Sequence, residues 1–151
     1  MDHLFSFRSP VGILVIRDDG DRILSLEFDG REIIPAQTAL QKETEEQLNE
    51  YFNGKRKGFE LPLCLKGTDF QIQIWHALQN IPYGKTVSYQ DIADVTGHGK
   101  ACRAIGNAIH ENPIPVIVPC HIVIRKDGST GGYAGGSERK KILLELEKKY
   151  A

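Results

Sequence analysis

The sequence predicts an α+β protein. A small N-terminal antiparallel sheet with one helix precedes a mainly helical C-terminal domain that contains a winged helix-turn-helix-like unit. Three observations carry this. Short β-prone runs separated by turn residues occupy the start of the chain. From Thr68 onward, helical spacing of apolar residues and good cap residues take over. Within that second part, two short helices flank the break Gly97-His98-Gly99, which reads as two helices across a glycine-containing turn.

The elements follow in order. His3 to Arg8, Val11 to Arg17 and Arg22 to Phe28 are the β-prone runs, punctuated by Pro10 and Asp18-Asp19-Gly20-Asp21. Gln37 to Phe52 reads as an amphipathic helix with Leu40, Leu48, Tyr51 and Phe52 as its apolar positions. Gly54 stands where a C-terminal cap belongs, and Lys55-Arg56-Lys57 is a solvated cluster that suits the helix dipole. A short strand around Phe59 to Leu63 is expected to close the sheet. Leu65-Lys66-Gly67 marks a boundary, giving an N-terminal structural domain over 1–67 and a second domain over 68–151.

Thr68-Asp69-Phe70-Gln71 is a capping box, and Phe70, Ile74, Ala77 and Leu78 form one helical face behind it. Pro82-Tyr83-Gly84 ends that helix. Ser88 caps a second, short helix through Ile92, Ala93 and Val95, and Lys100 to Glu111 forms a third. After Val123-Ile124 come a turn at Lys126-Asp127-Gly128 and the stretch Gly131-Gly132-Tyr133-Ala134-Gly135-Gly136. Ser137 is expected to cap a last helix ending near Lys149.

The bulk numbers exclude several classes. A chain of 151 residues, 40% hydrophobic and 26% charged, is ordinary for a globular protein that buries a sizeable core. It has no run of about 18 apolar residues, so no membrane span is expected. Its first residues lack the basic-then-apolar pattern of a signal peptide. Three cysteines argue against a disulfide framework and for a reducing compartment, and no CxxC or HxxxH spacing suggests a zinc site. The net charge is −1, but residues 1–67 hold 9 Lys/Arg against 12 Asp/Glu while residues 68–151 hold 10 against 8. The second half therefore permits a local anionic partner without demonstrating one.

The chemistry-bearing signal is Pro119-Cys120-His121, which follows Asn112-Pro113-Ile114-Pro115 and the apolar run Val116-Ile117-Val118. A buried strand is expected to deliver the pair, with the proline holding the backbone ahead of it. A thiol fixed beside an imidazole is a device for forming thiolate near neutral pH. The plain alternative is an inert core cysteine with a chance neighbour. On the third helix, Ala101, Ile105, Ala108 and Ile109 share the core face, while Cys102, Arg103, Gly106 and His110 share the other. That low outer face permits close approach to another backbone, with Arg103 reaching into a groove; a surface arginine on a packed helix is the alternative. The glycine-rich stretch reads as a flexible loop, a phosphate cradle or a loop whose N–H groups line a pocket. Glu147, alone, reads as a surface carboxylate.

Together these segments resemble the methylated-DNA–protein-cysteine methyltransferases, which repair 6-O-alkylguanine in DNA. The resemblance spans residues 68–151 through Val87-Ser88-Tyr89-Gln90, Lys100-Ala101-Cys102-Arg103-Ala104-Ile105-Gly106, Asn112-Pro113-Ile114-Pro115, Pro119-Cys120-His121, Gly132-Tyr133-Ala134-Gly135-Gly136 and Glu147. Residues 1–67 match in general design only. The resemblance implies that Cys120 accepts the alkyl group irreversibly, once per molecule, from the 6-oxygen of guanine or the 4-oxygen of thymine. It implies that His121 takes the thiol proton through a water, and that Glu147 orients the histidine and stabilises its imidazolium. Asn112 braces the turn before the cysteine. Arg103 fills the stack after the base is rotated out, with Cys102 and Gly106 on the same DNA-facing helix surface, and Tyr89 helps at the base or its 3′ phosphate. The backbone of Val123, with Tyr133 and Ala134, lines the guanine pocket, and Lys140 assists protonation of the departing oxygen. No cofactor and no metal are implied. The implied partner is double-stranded DNA carrying alkylated guanine, met by a monomer in the cytoplasm away from membranes.

Two positions depart from the family pattern. Ile122 stands where an arginine usually follows the Cys-His pair, and Ala134 stands where serine is common. The first bears on structural ion pairs and the second on one hydroxyl donor. Relatives that lack the cysteine sense damage without repairing it, which makes a non-repairing alkylated-base sensor the alternative reading. A Cys-His hydrolase leaves the helix-turn-helix, Arg103 and Asn112 without purpose, and a plain transcriptional regulator leaves Cys120-His121 with Glu147 unexplained.

Overall fold

In the computed structural model, which describes residues 2–129, 131–133 and 135–151, the chain opens with three antiparallel strands: β1 (His3–Ser9), β2 (Gly12–Asp18) and β3 (Ile23–Glu27), in that spatial order. The acidic turn between β2 and β3 is built from its own side chains. Asp18 accepts the N–H of Gly20, and Asp19 accepts those of Asp21 and Arg22, the habit that makes aspartate a turn residue. Phe5, Leu14, Ile16 and Ile23 are fully buried. Helix α1 (Ala39–Phe52) packs on β1 and starts two residues later than the Gln37 expected, because Thr38 with Gln41 forms a capping box. Its buried face is partly polar. Gln41 reaches Asp18, and the Gln47 amide brackets the backbone of Glu60, donating to its oxygen and accepting from its nitrogen.

That bracket corrects the strand expected over Phe59 to Leu63. Only Leu63 bridges the sheet, in parallel to Ile23. The Glu60 backbone is already spent on Gln47, and Pro62 has no N–H for a ladder, although its oxygen accepts from Ile23.

The second half forms around α2 (Asp69–Gln79), capped by Thr68 and Gln71 as expected. Then come β4 (Val87–Ser88), α3 (Tyr89–Val95) and α4 (Cys102–His110). Ser88 caps α3 and is answered by Asp91. Ile74, Trp75, Leu78, Ile92, Ala93, Ile105 and Ala108 bury the contacts among these three helices, and Trp75 Nε1 donates to the Ala108 oxygen at 2.8 Å. Helices α3 and α4 are the helix-turn-helix pair. A single 3-10 turn (Cys120–Ile122) leads into β5 (Val123–Ile124), and α5 (Ser137–Tyr150) closes the chain.

Three local expectations need correction. Helix α4 is shorter than Lys100 to Glu111, because Ala101 at its start offers no side-chain cap. Gly136, at φ +88, is the N-cap of α5, so Ser137 is its first helical residue and makes no capping bond. Val116-Ile117-Val118 is a buried turn instead of a strand, with Val116 at φ +74 and the Val118 N–H on the Ile114 oxygen. Pro113 and Pro115 deny this segment the donors a strand needs.

The apolar core runs from Phe5 to Leu143 without a break at Leu65-Lys66-Gly67. Arg139 of α5 adds a polar tie between the halves: it donates to the oxygens of Val11 and Gly135 and pairs with Asp29. Among the described residues, no helix is long and apolar enough to cross a membrane.

Candidate active site

The parallel pairing of β4 with β5, Val87 opposite Val123, decides what the site contains. Strand β4 runs directly into α3, whose first residue is Tyr89. Strand β5 begins directly after the Cys-His turn. Two residues of ladder therefore set Tyr89 beside Cys120, although 30 residues of chain separate them.

Asn112 holds the turn. Its Nδ2 donates to the Val118 oxygen at 2.9 Å, and its Oδ1 accepts from the Ile114 N–H at 3.0 Å. The side chain supplies hydrogen bonds within a segment whose prolines have no N–H to give. A 3-10 turn rotates successive side chains by about a third of a circle, so Cys120 and His121 diverge without facing opposite ways. Cys120 is 4% exposed and His121 fully buried.

The environment makes the thiol a poor acid at rest. Burial pushes Cys120 up to about 11, against the pull of a hydrogen bond from Asn112 and the charge of Lys140. At pH 7 roughly one thiol in ten thousand is then ionised. A base must act in concert with any nucleophilic step.

His121 follows Cys120 in the same turn. Its Nε2 faces the Glu147 carboxylate, and its Nδ1 is buried with no hydrogen-bond partner among the described residues. With Nε2–H donated to Glu147, the neutral ring carries its lone pair on Nδ1. Burial pushes the Glu147 carboxyl up, but the hydrogen bond and charge of His121, the Tyr51 hydroxyl and the Gly84 N–H outweigh it and hold it below the usual range. The Gly84 N–H reaches Glu147 Oε1 at 3.2 Å. Gly84 sits at φ +80, and a Cβ there would lie 2.6 Å from Ala151 Cβ, so glycine is needed for the backbone to come this close.

A cavity of about 220 Å³ opens at Cys120, lined by Tyr89, Gly106, Ile109, His110, Gly132 and Tyr133 among others. Tyr133 is buttressed from the first half of the chain by Phe28, edge to face at 5.9 Å, and the Arg139 guanidinium lies over Phe28. Gly135 permits this packing, since a Cβ there would lie 2.7 Å from the Phe28 ring. Val123 and Lys140 do not line the cavity. Lys140 is fully buried, and its Nζ donates to the Val123 oxygen at 2.5 Å and the Gly132 oxygen at 3.2 Å. Burial lowers it to about 8, partly offset by Cys120. Ala134 lies outside the described residues.

On α4, Arg103 and His110 are exposed, while Cys102 and Gly106 are half-buried. The Cys102 thiol donates to Gln90 Oε1, joining α4 to α3, and Gly106 lies beneath the Tyr89 ring. Ile122, 3% exposed, packs into the apolar core where an arginine was expected from the resemblance. Among the described residues, no group of three or more His, Cys, Asp or Glu is placed to hold a metal ion.

Sequence reasoning missed three contributors. Tyr51 was read as a core position of α1, yet its hydroxyl donates to Glu147 at 2.6 Å. Gly84 was read only as a helix stop, and Phe28 as the end of a strand. Their sequence signals, an apolar periodicity and a turn, carry no information about which partner the fold brings to them.

Comparison with known proteins gives one answer along the whole chain. The family model described as 6-O-methylguanine DNA methyltransferase, ribonuclease-like domain, matches residues 5–65, and the model of that family's DNA binding domain matches residues 69–149. The constitutive methylated-DNA–protein-cysteine methyltransferase of Bacillus subtilis is 41% identical, over 98% of this chain and 96% of that protein. The Mycobacterium tuberculosis protein of that name is 43% identical, over 100% of this chain and 95% of its own length. A crystal structure of the M. tuberculosis 6-O-methylguanine methyltransferase superposes with a TM-score of 0.90 at 42% identity, covering 100% of this chain and 95% of that one. The structure of the M. tuberculosis protein in complex with DNA gives 0.88 at 42% identity, covering 99% and 94%.

Proposed function

The chain belongs to the 6-O-methylguanine DNA methyltransferase family, and we propose that it repairs double-stranded DNA by moving the alkyl group of a 6-O-alkylguanine, or a 4-O-alkylthymine, onto Cys120. The activity is direct reversal of DNA alkylation by an enzyme of the methylated-DNA–protein-cysteine methyltransferase class. DNA is its partner. A monomer in the cytoplasm is the form we infer, in keeping with three cysteines that all remain thiols.

What supports the chemistry is Cys120 at the cavity it opens into, followed directly by His121, whose Nε2 faces the Glu147 carboxylate and whose Nδ1 has no partner among the described residues. Glu147 fixes the tautomer, so Nδ1 holds the lone pair. Nδ1 takes the Cys120 proton through a water. The sulfur attacks the alkyl carbon, and an S–C bond forms as the bond from carbon to the guanine oxygen breaks. The electron pair leaves on that oxygen, and a proton returned to the base completes neutral guanine. Lys140, a cation whose charge is felt at Cys120, assists that return. The thioether has no low-energy route back to thiol, so each molecule acts once. The alkylated oxygen is out of reach inside duplex, which requires the base to be rotated into the cavity between Tyr89, Gly132 and Tyr133. Arg103, exposed on α4 one turn before Gly106, is the side chain we assign to the gap left behind.

The sensor reading is not favoured. The chain keeps the cysteine, and the relatives that match it along its length carry the transferase name. Ile122 does not weaken this, because the resemblance gives that position a part in structural ion pairs and none in the transfer, and here the side chain packs into the apolar core.

The test is the intact mass after mixing with duplex DNA bearing a single 6-O-methylguanine, followed by peptide mapping. One added methyl on Cys120 and no second turnover is the expected result. Tight binding with no mass change would replace repair by sensing. Arg103→Ala is expected to slow repair in duplex by roughly tenfold or more while leaving transfer from free 6-O-benzylguanine near wild type, because only duplex needs the base extruded. Equal loss on both substrates would remove the finger role. Binding of the wild type to duplex should also weaken as salt rises.

A further inference from the structure

We propose that Tyr51, carried by α1 in the first half of the chain, is a positioning residue for alkyl transfer: its phenol holds the Glu147 carboxylate ionised and in place behind His121. This rests on the repair reading and deepens it.

The geometry is specific. The Tyr51 hydroxyl donates to Glu147 Oε2 at 2.6 Å, the same oxygen that faces His121 Nε2, and lies 3.4 Å from that nitrogen. Tyr51 is 2% exposed. Burial first, and then the charge of Glu147, push its phenol far above the ordinary tyrosine range, so it stays O–H and acts as the donor. Its ring is held by Phe52, Phe59 and Tyr83 at centroid distances of 5.4, 5.3 and 6.2 Å. A hydrogen bond from a neutral donor to an ionised carboxylate is about twice as strong as a neutral one, and stronger where water is excluded. An unpaired phenol in this apolar place would be a cost, and phenylalanine would fill the same space.

The groups that face Glu147 come from several elements. His121 comes from the 3-10 turn, and the Gly84 N–H with Tyr83 from the turn before β4. Lys57 comes from the loop after α1 and lines the same cavity of about 180 Å³ as Tyr51, Tyr83, Ile122 and Glu147. On the opposite side Lys85, Glu145 and Lys148 border a second cavity that Glu147 also lines. Of all these, Tyr51 and His121 share one carboxylate oxygen. Losing the phenol leaves the burial that pushes the carboxyl up and removes one of the bonds that pull it down. The carboxylate is then lost at higher pH, and with it the orientation of His121. The first half of the chain is therefore part of the reacting apparatus as well as its support.

The experiment is single-turnover benzyl transfer from free 6-O-benzylguanine to the full chain, followed across pH for wild type and Tyr51→Phe. Tyr51→Phe is expected to react roughly tenfold more slowly at neutral pH, with the acid limb of its rate profile moved to higher pH. In a Glu147→Gln background, Tyr51→Phe is expected to cost little more, since it acts through the carboxylate. Should Tyr51→Phe fold poorly, Tyr51→Met fills the space without a donor and serves the same comparison. An unmoved acid limb, or full additivity with Glu147→Gln, would overturn the proposal while wild-type labelling left the repair reading standing. No benzyl group on wild-type Cys120 would instead overturn the repair reading itself.

Discussion

Cys120→Ala is expected to give a folded protein that binds alkylated duplex and takes up no methyl group at all. The sulfur is the atom that forms the new bond, and no other thiol can stand in. Cys64 is buried in the first half of the chain, and the Cys102 thiol is engaged with Gln90 and does not line the cavity at Cys120. Binding should survive because the surface assigned to DNA, Arg103 and its neighbours on α4, is untouched. Folding should survive because replacing a buried cysteine by alanine removes one atom from a small turn, a change that costs about 1 kcal/mol. Intact mass and a duplex-binding titration on the same sample check both halves of the expectation. A methyl group appearing elsewhere on the variant would mean that another nucleophile does the work.

Glu147→Gln is expected to slow alkyl transfer by about 10²–10³-fold, the range general acid–base positioning contributes. The reason is the tautomer. A carboxylate only accepts, so His121 must present Nε2–H to it and keep the lone pair on Nδ1. A glutamine amide can turn its NH₂ toward Nε2, which moves the lone pair to Nε2 and puts the ring proton on Nδ1, where the base is needed. The size of the side chain barely changes, so the loss would report orientation and charge. The same variant should alter stability in acid. In the fold the Glu147 carboxyl is held below its ordinary value of 4.5. A depressed carboxyl contributes stability that is fully present above the unfolded value and is lost as pH falls through the folded one. Wild type should therefore lose stability from about pH 4.5 downward more steeply than Glu147→Gln, as read by urea midpoints between pH 7 and pH 3. Parallel acid limbs for the two proteins would contradict the lowered Glu147 carboxyl.

Much of the fold was legible because it is written in local chemistry. Thr68 with Gln71 and Ser88 with Asp91 satisfy orphan N–H groups within one turn, and both helices start where those residues stand. The spacing of Ile105, Ala108 and Ile109 made the inner face of α4 readable in the same way. The errors fall where the backbone answers to something distant. Phe59 to Leu63 has strand-like residues, but its polar groups are claimed by the Gln47 amide on α1. Val116-Ile117-Val118 has the composition of a buried strand, but the neighbouring prolines and the Asn112 side chain turn it back on itself.

The reacting residues divide along the same line. Which atoms can do the chemistry was determined by the sequence alone: a thiol, an imidazole beside it, a carboxylate, and an arginine on the open face of a helix. Residue identity sets what a side chain can donate, accept or attack, and that does not wait for folding. What those atoms do together was decided only by the tertiary structure. Burial raised the Cys120 thiol to about 11 and made a partnered base necessary. A two-residue parallel ladder set Tyr89 against Cys120, and folding brought the Tyr51 hydroxyl of α1 onto Glu147 of α5. Acidity and hydrogen-bond strength depend on the dielectric surroundings and on distances of a few ångströms between residues as much as 96 positions apart. Those quantities exist only once the chain has closed on itself.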